Sequence, residues 1–165
     1  MNFKSMLFMA YIAMAINLNA STNITWWHAM GGKLGEVVNE IATNFNNSQN
    51  EYKIVPIYKG GYEDTMTAGI AAFRAKKSPD IIQIFDAGAA TIMSVKGVVY
   101  PVADLLDKYG VKFNEKDYIS GVRNFYANSS GRMIGLPFNS STPVMYYNKD
   151  IFKKVGIKNP PKTWE

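Results

Sequence analysis

From residue 24 to residue 95, runs with a strand's period alternate with runs with a helix's period. That alternation narrows the possible folds more than any other feature of the chain. Ile24 to Trp27 is a short apolar run suited to a strand buried on both faces. Lys33 to Asn46 carries Leu34, Val37, Val38, Ile41 and Phe45 at helical spacing, with Glu36 and Glu40 on the other side. Tyr52 to Tyr58 is rich in β-branched and aromatic residues and reads as a strand. Gly60-Gly61 breaks the chain before a helix that places Met66, Ile70 and Phe73 on one face. Ser78-Pro79-Asp80 is a turn, Ile81 to Phe85 a buried strand, and Asp86-Ala87-Gly88 opens a small-residue helix reaching about Val95. Strand, helix, strand, helix, strand, helix predicts an α/β fold, a mainly parallel sheet flanked by helices. In such a fold ligands sit beyond the carboxyl ends of the strands. His28 to Gly32, Lys59 to Tyr62 and Asp86 to Gly88 are the segments this rule selects.

Beyond Gly97 the pattern loosens. Val102 to Tyr109 and Glu115 to Phe125 read as short helices. Met133 to Phe138 and Val144 to Tyr147 read as strands joined by the polar Asn139-Ser140-Ser141-Thr142-Pro143. Asp150 to Val155 reads as a short helix ended by Gly156. The final Pro160-Pro161-Lys162-Thr163-Trp164-Glu165 is a helix-start signal with Thr163 as N-cap. A helix announced there and not built suggests a truncated product.

The first 20 residues form a separate unit. Lys4 supplies a positive start, Met6 to Ile16 is uncharged and mostly apolar, and Leu18-Asn19-Ala20 ends in a small residue suited to cleavage. The apolar run is about 11 residues, short of the roughly 20 that span a bilayer. A cleaved export signal is the expectation, with residues 21–165 as the mature chain and the periplasm as its destination. There are no cysteines, so the exported fold must rest on an ordinary hydrophobic core. The formal charge of +5 falls to +4 once Lys4 is removed (5 − 1). The basic residues are dispersed among acids, with only Lys76-Lys77 and Lys153-Lys154 paired, which argues against a nucleic-acid partner.

Catalytic groups are scarce. The chain has one His, no Cys, no cluster with metal-ligand spacing and no phosphate-loop or dinucleotide glycine fingerprint. His28 sits among Trp26, Trp27 and Met30 with no nucleophile in its own segment, so it reads as structural or ligand-contacting. Asp104 and Asp107 read as solvated residues of a surface helix. No enzyme, cofactor or metal is called for. The Lys59-Gly60-Gly61-Tyr62 segment suits an anion, because glycines let backbone N–H groups approach closely and a helix N-terminus follows. It equally suits a plain strand-to-helix turn. Asp86 either accepts hydrogen bonds from ligand hydroxyls or caps the helix it opens. Ser140-Ser141-Thr142 either donates to ligand oxygens or serves a turn. On local grounds these alternatives stay open.

The run from Pro137 to Asp150, with Tyr147-Asn148-Lys149-Asp150, followed by Pro160-Pro161-Lys162-Thr163-Trp164, resembles the first interdomain crossing of extracellular solute-binding proteins, including the maltose- and sugar-binding ones. Trp27-His28-Ala29-Met30, and Tyr58 to Tyr62 continuing through Ala68 to Arg74, are similar to the members that bind glycerol 3-phosphate for ABC importers. The resemblance covers essentially the whole mature chain. It implies a periplasmic binding protein-like (type II) lobe at 21–140, with 141–165 forming the crossing and the start of a second, largely missing lobe. It implies capture of glycerol 3-phosphate or a diester such as glycerophosphocholine, and delivery to ABC transporter permease subunits. It implies that Tyr62 and Ser141 contact the phosphate. Asp86 falls where the family has a glutamate that contacts the glycerol hydroxyls, and its side chain is one methylene shorter. Gly31 stands where an acidic residue is usual. An oligosaccharide-binding protein of the same fold, a secreted hydrolase fragment and an inactive remnant are the competing readings.

Overall fold

The computed structural model describes residues 21–163. The expected export signal, and Trp164 and Glu165 of the closing motif, lie outside the described residues. The ordered elements run β1 (Thr22–His28), α1 (Gly32–Ser48), β2 (Tyr52–Tyr58), α2 (Tyr62–Arg74), β3 (Ile81–Ile82), α3 (Asp86–Ser94), α4 (Val102–Tyr109), a 3-10 turn (Glu115–Asp117), α5 (Ser120–Phe125) and α6 (Lys149–Lys154). Among the described residues the sheet has the order β2-β1-β3, and both pairings are parallel. Thr22 to His28 lies against Tyr52 to Tyr58 residue for residue, and Trp26 and Trp27 lie against Ile81 and Ile82. The alternating α/β architecture read from hydrophobic period is present.

Side chains complete the sheet where backbone partners run out. β2 is an edge strand, and an unpaired edge leaves N–H and C=O groups that need partners. Asn46, from α1, supplies both to Ile54: its Oδ1 accepts from the Ile54 N–H at 2.7 Å and its Nδ2 donates to the Ile54 carbonyl at 2.9 Å. The entry to β3 is clasped in a similar way. Asp80 Oδ2 accepts from the backbone N–H and the hydroxyl of Thr25, both at 2.8 Å, and these bonds hold its carboxyl below the ordinary carboxylate range. Gly69 lets α2 approach the sheet: a Cβ there would lie 2.4 Å from Ile82 Cδ1.

Four expectations change. Ile81 to Phe85 forms a strand only as far as Ile82, although the Gln83 N–H still donates to the Trp27 carbonyl at 2.9 Å. Glu115 to Phe125 divides into a 3-10 turn and α5. Met133 to Phe138 and Val144 to Tyr147 form no extended strands; only Met133 makes a bridge, antiparallel to Ala127. Apolar alternation marks a segment able to enter a sheet, but a strand exists only beside a partner that takes its N–H and C=O groups. Asp104 and Asp107 are exposed yet not merely solvated. Both carboxylates accept from Arg132, at 2.6 and 2.9 Å.

That Arg132 contact belongs to a larger arrangement. No side chain caps α4, and its first two N–H groups, of Val102 and Ala103, donate instead to the carbonyls of Ile134 and Met133 at 3.1 and 3.0 Å. The segment leading to residues 139–141 is thereby fastened to the start of α4. The core is concentrated at Val38, Ala42, Ala89, Ile92 and Met133. On α1 the helical period is as read, but the apolar stripe is only partly covered. Val38 is 1% exposed, while Leu34, Val37, Ile41 and Phe45 remain 41% to 61% exposed.

Candidate functional site

A cleft of ≈ 390 Å³ opens beyond the carboxyl end of β3, and Tyr62, Asp86 and Ser141 all line it. The remaining walls come from Ile84 and Phe85, from Val122, Phe125 and Tyr126, and from Asn139 and Ser140. Two of the three strand-end segments selected from sequence therefore reach the cleft, those at Tyr62 and Asp86. The third does not: no residue of His28 to Gly32 lines it.

Tyr62 is the first residue of α2. Gly60 turns the chain there at φ +92°, a conformation that L side chains rarely adopt, and a Cβ would also meet Asp64 Oδ2 at 2.7 Å. The turn does not leave all its N–H groups free for an anion. The Gly61 N–H donates to Asp64 Oδ2 at 3.0 Å, and Lys59, Gly60 and Gly61 are absent from the cleft wall. The glycine pair thus positions Tyr62 rather than forming a cradle itself. Lys59 lies with its Nζ 4.0 Å from the centre of the Trp27 ring. The Tyr62 ring stacks on Phe85, centroids 5.5 Å apart and planes at 22°, and its Oη accepts from Asn139 Nδ2 at 3.0 Å.

Asp86 opens α3, with Phe85 at the N-cap position. One carboxylate oxygen, Oδ1, accepts from the Ala87 N–H at 2.7 Å, yet Asp86 is the first helical residue rather than the cap, no side chain caps this helix, and Asp86 stays exposed on the cleft wall. Tyr126 faces the same space. Burial first, and then the negative charge of Asp86, raise its phenol above the ordinary tyrosine value and keep it protonated.

Ser140 and Ser141 lie in an irregular, exposed segment held just upstream. Phe138 packs edge-on against Trp26, with centroids 5.1 Å apart at 82°. Asn139 Oδ1 accepts from Gln83 Nε2 at 2.7 Å. Sequence reasoning passed over Asn139, Gln83 and Tyr126. The available signal was Gln83 itself, a polar residue inside an otherwise apolar strand run, since a buried amide must find partners.

His28 is 3% exposed and outside the cleft. Its Nδ1 accepts from the Met30 N–H at 3.3 Å, and its ring lies between those of Trp26 and Tyr58 at 6.0 and 5.9 Å. This is a structural residue. Desolvation by burial, the largest cause, lowers its pKa. The unfolded chain therefore binds the proton more readily than the folded one. Stability is expected to be constant above the unfolded value of about 6.5, to fall as pH drops through it, and to level off below the depressed folded value. Urea midpoints measured across this range should slope in the wild type and flatten in His28→Asn. An equal slope in both would assign the dependence elsewhere.

Among the described residues no group of three or more His, Cys, Asp or Glu side chains could hold a metal, and no helix is long and apolar enough to cross a membrane. The cleft offers hydroxyl donors at Tyr62, Tyr126 and Ser141, a carboxylate acceptor at Asp86, and the apolar faces of Phe85 and Phe125.

Residues 31–165 match the family model of the bacterial extracellular solute-binding protein. A protein of Agrobacterium fabrum named sn-glycerol-3-phosphate-binding periplasmic protein UgpB is 52% identical over 150 residues, covering 90% of this chain and 34% of that protein. The proteins of the same name from Brucella abortus and Escherichia coli O1:K1 are 50% and 46% identical, covering 88% and 93% of this chain and 34% and 36% of theirs. The chain thus spans about a third of the length of the curated relatives it matches. Among solved structures, the galacto-N-biose/lacto-N-biose I-binding protein of a Bifidobacterium longum ABC transporter superposes with a TM-score of 0.66 at 24% identity, covering 87% of this chain and 35% of that one. CpMnBP1, solved with mannotriose bound, gives 0.62 at 22% identity, covering 87% and 35%. These two agree on the fold, and the family match extends over most of the sequence: the chain belongs to the bacterial extracellular solute-binding proteins.

Proposed function

We propose that this chain is the N-terminal part of a periplasmic solute-binding protein that captures glycerol 3-phosphate or a glycerophosphodiester and presents it to the permease of an ABC importer. One observation carries the reading: two hydroxyl donors and one carboxylate, Tyr62, Ser141 and Asp86, share a single cleft wall. A carboxylate repels a phosphate, so a ligand suited to this wall carries its charge at one end and hydroxyls at the other. Glycerol 3-phosphate has that form. Tyr62 and Ser141 donate to the phosphate, and Asp86 accepts from the glycerol hydroxyls. The relatives of 46% to 52% identity that carry the glycerol-3-phosphate-binding name support the same ligand class. Residues 21–140 make one lobe, and 141–163 lead toward a second that closes over the ligand. Capture is reversible and breaks no bond.

Titrating the isotope-labelled chain with millimolar sn-glycerol 3-phosphate should move the amide resonances of Tyr62, Asp86 and Ser141, with maltotriose leaving them in place. Hydrogen bonds to charged groups are worth about 1.5–3 kcal/mol, so Ser141→Ala should weaken the phosphate ligand about tenfold or more. An unchanged titration would remove Ser141 from the site. Shifts produced by maltotriose instead would favour an oligosaccharide ligand, and phosphodiester cleavage seen by phosphorus NMR would restore a hydrolase.

A further inference from the structure

The hydrogen-bond chain behind Tyr62 begins at a group that cannot change its polarity. The backbone N–H of Ala29 donates to Gln83 Oε1 at 2.9 Å. An amide that accepts through its oxygen on one side presents its NH2 on the other. Gln83 Nε2 accordingly donates to Asn139 Oδ1 at 2.7 Å, and Asn139 Nδ2 in turn donates to Tyr62 Oη at 3.0 Å. Each orientation follows from the one before it. The alternative, with both amides turned over, would set the Gln83 NH2 against the Ala29 N–H and leave a part-buried donor facing a donor.

The consequence falls on Tyr62. A phenol proton lies near the ring plane in one of two directions, and the Asn139 NH2, which cannot accept, occupies one of them. Stacking on Phe85 prevents the ring from turning away. The proton is left to the cleft. Gln83 is 8% exposed and no part of the cleft wall, so it acts on the ligand only through Asn139 and Tyr62.

We propose that Gln83 and Asn139 are positioning residues that fix Tyr62 as a hydrogen-bond donor to the cleft, so that the site selects ligands presenting an oxygen acceptor at that point. This rests on the reading of the cleft as a ligand site. It adds a reason why an anionic oxygen is preferred over a hydroxyl, which a phenol of free polarity would accept equally well.

Gln83→Glu tests the relay without altering the cleft surface. Once ionised, the new carboxylate still accepts from Ala29, but it offers Asn139 only acceptors. The Asn139 amide must then turn over, its oxygen facing Tyr62 and drawing the phenol proton out of the cleft. Protonating the carboxyl returns a donor and with it the original order. Two readouts separate the relay from the ligand assignment. Without ligand, cross-relaxation between the Asn139 side-chain amide protons and the Tyr62 ring is expected in the wild-type chain. In Gln83→Glu it should disappear as the carboxyl ionises. With sn-glycerol 3-phosphate, Gln83→Glu should bind about tenfold more weakly at high pH and approach the wild type at low pH, over roughly pH 5 to 9. Gln83→Met, of similar volume but with no donor, should show a smaller loss without that pH profile. If Gln83→Glu keeps the cross-relaxation and tracks the wild type throughout, the relay does not set the polarity of Tyr62. If the wild type shows no response to glycerol 3-phosphate but the cross-relaxation behaves as described, the ligand assignment fails and the relay stands.

Discussion

Joined to the rest of its Agrobacterium fabrum relative, residues 21–163 are expected to bind glycerol 3-phosphate at least about a hundredfold more tightly than they do alone, a difference of about 2.8 kcal/mol. The reason lies in the number of groups on one wall. Tyr62, Ser141 and Asp86 line one cleft, and on the proposed reading the two hydroxyls would donate to the phosphate and the carboxylate would accept from the glycerol hydroxyls. At about 1.5–3 kcal/mol for each bond to a charged group, three contacts reach a micromolar affinity of about 8 kcal/mol only if nothing opposes them. Association opposes them by at least about 4 kcal/mol in lost rigid-body freedom. One wall therefore leaves at most about 5 kcal/mol, binding of a few tenths of a millimolar at best. A second lobe closing over the ligand adds contacts and removes water, which strengthens those already made. Calorimetry on the fused and the separate chains provides the comparison, with Tyr62→Phe in the fused protein confirming that both measurements report the same cleft. Micromolar binding by the separate chain would end the two-lobe account.

What could be read from sequence, and what could not, divides along a physical line. β2 matches its expected span of Tyr52 to Tyr58, and α4 its expected span of Val102 to Tyr109, because hydrophobic period and turn residues are local properties. Tyr62 and Asp86 come to one cleft because both follow carboxyl ends of parallel strands, whereas Ser141 reaches it on an irregular segment tied through Asn139 to Gln83 and Tyr62. The failures concern partners. Val144 to Tyr147 has a strand's composition, yet Val144 is 67% and Tyr146 94% exposed, with no neighbouring strand among the described residues. The stripe on α1 marks a helix, but period does not say what will cover Leu34 or Phe45. Gln83 and Asn139 lie 56 positions apart and meet only through tertiary folding. Asn128-Ser129-Ser130-Gly131 illustrates a legible signal that went unused. Asn128 Oδ1 accepts from the N–H groups of Ser130 and Arg132, both at 3.0 Å, and Gly131 adopts φ +79°. That turn folds Met133 back onto Ala127.

Met133 carries the second large effect, because one side chain secures both the fold and the far wall of the cleft. It is 1% exposed and among the largest fully buried side chains of the described chain. Its carbonyl and that of Ile134 receive the opening N–H groups of α4, while the Ile134 N–H donates to the Tyr126 carbonyl at 2.8 Å. Removing a buried methionine side chain to alanine costs about 2–5 kcal/mol, the transfer term plus the cavity left behind. Against a total of about 5–15 kcal/mol for a small domain, Met133→Ala should shift the urea midpoint substantially, whereas the volume-conserving Met133→Leu should cost less than about 1.5 kcal/mol. The loss should reach the site as well. Tyr126 and Ile134 flank the segment that Met133 anchors, and their N–H groups are hydrogen-bonded, so those amide protons should lose exchange protection before those of β1 and β2. Arg132→Ala, which removes only exposed ion pairs to Asp104 and Asp107, should leave that order unchanged. A Met133→Ala protein as stable as the wild type, with the Tyr126 amide still protected, would mean that the hairpin is held to α4 by its backbone hydrogen bonds alone and that the buried side chain contributes nothing to the cleft.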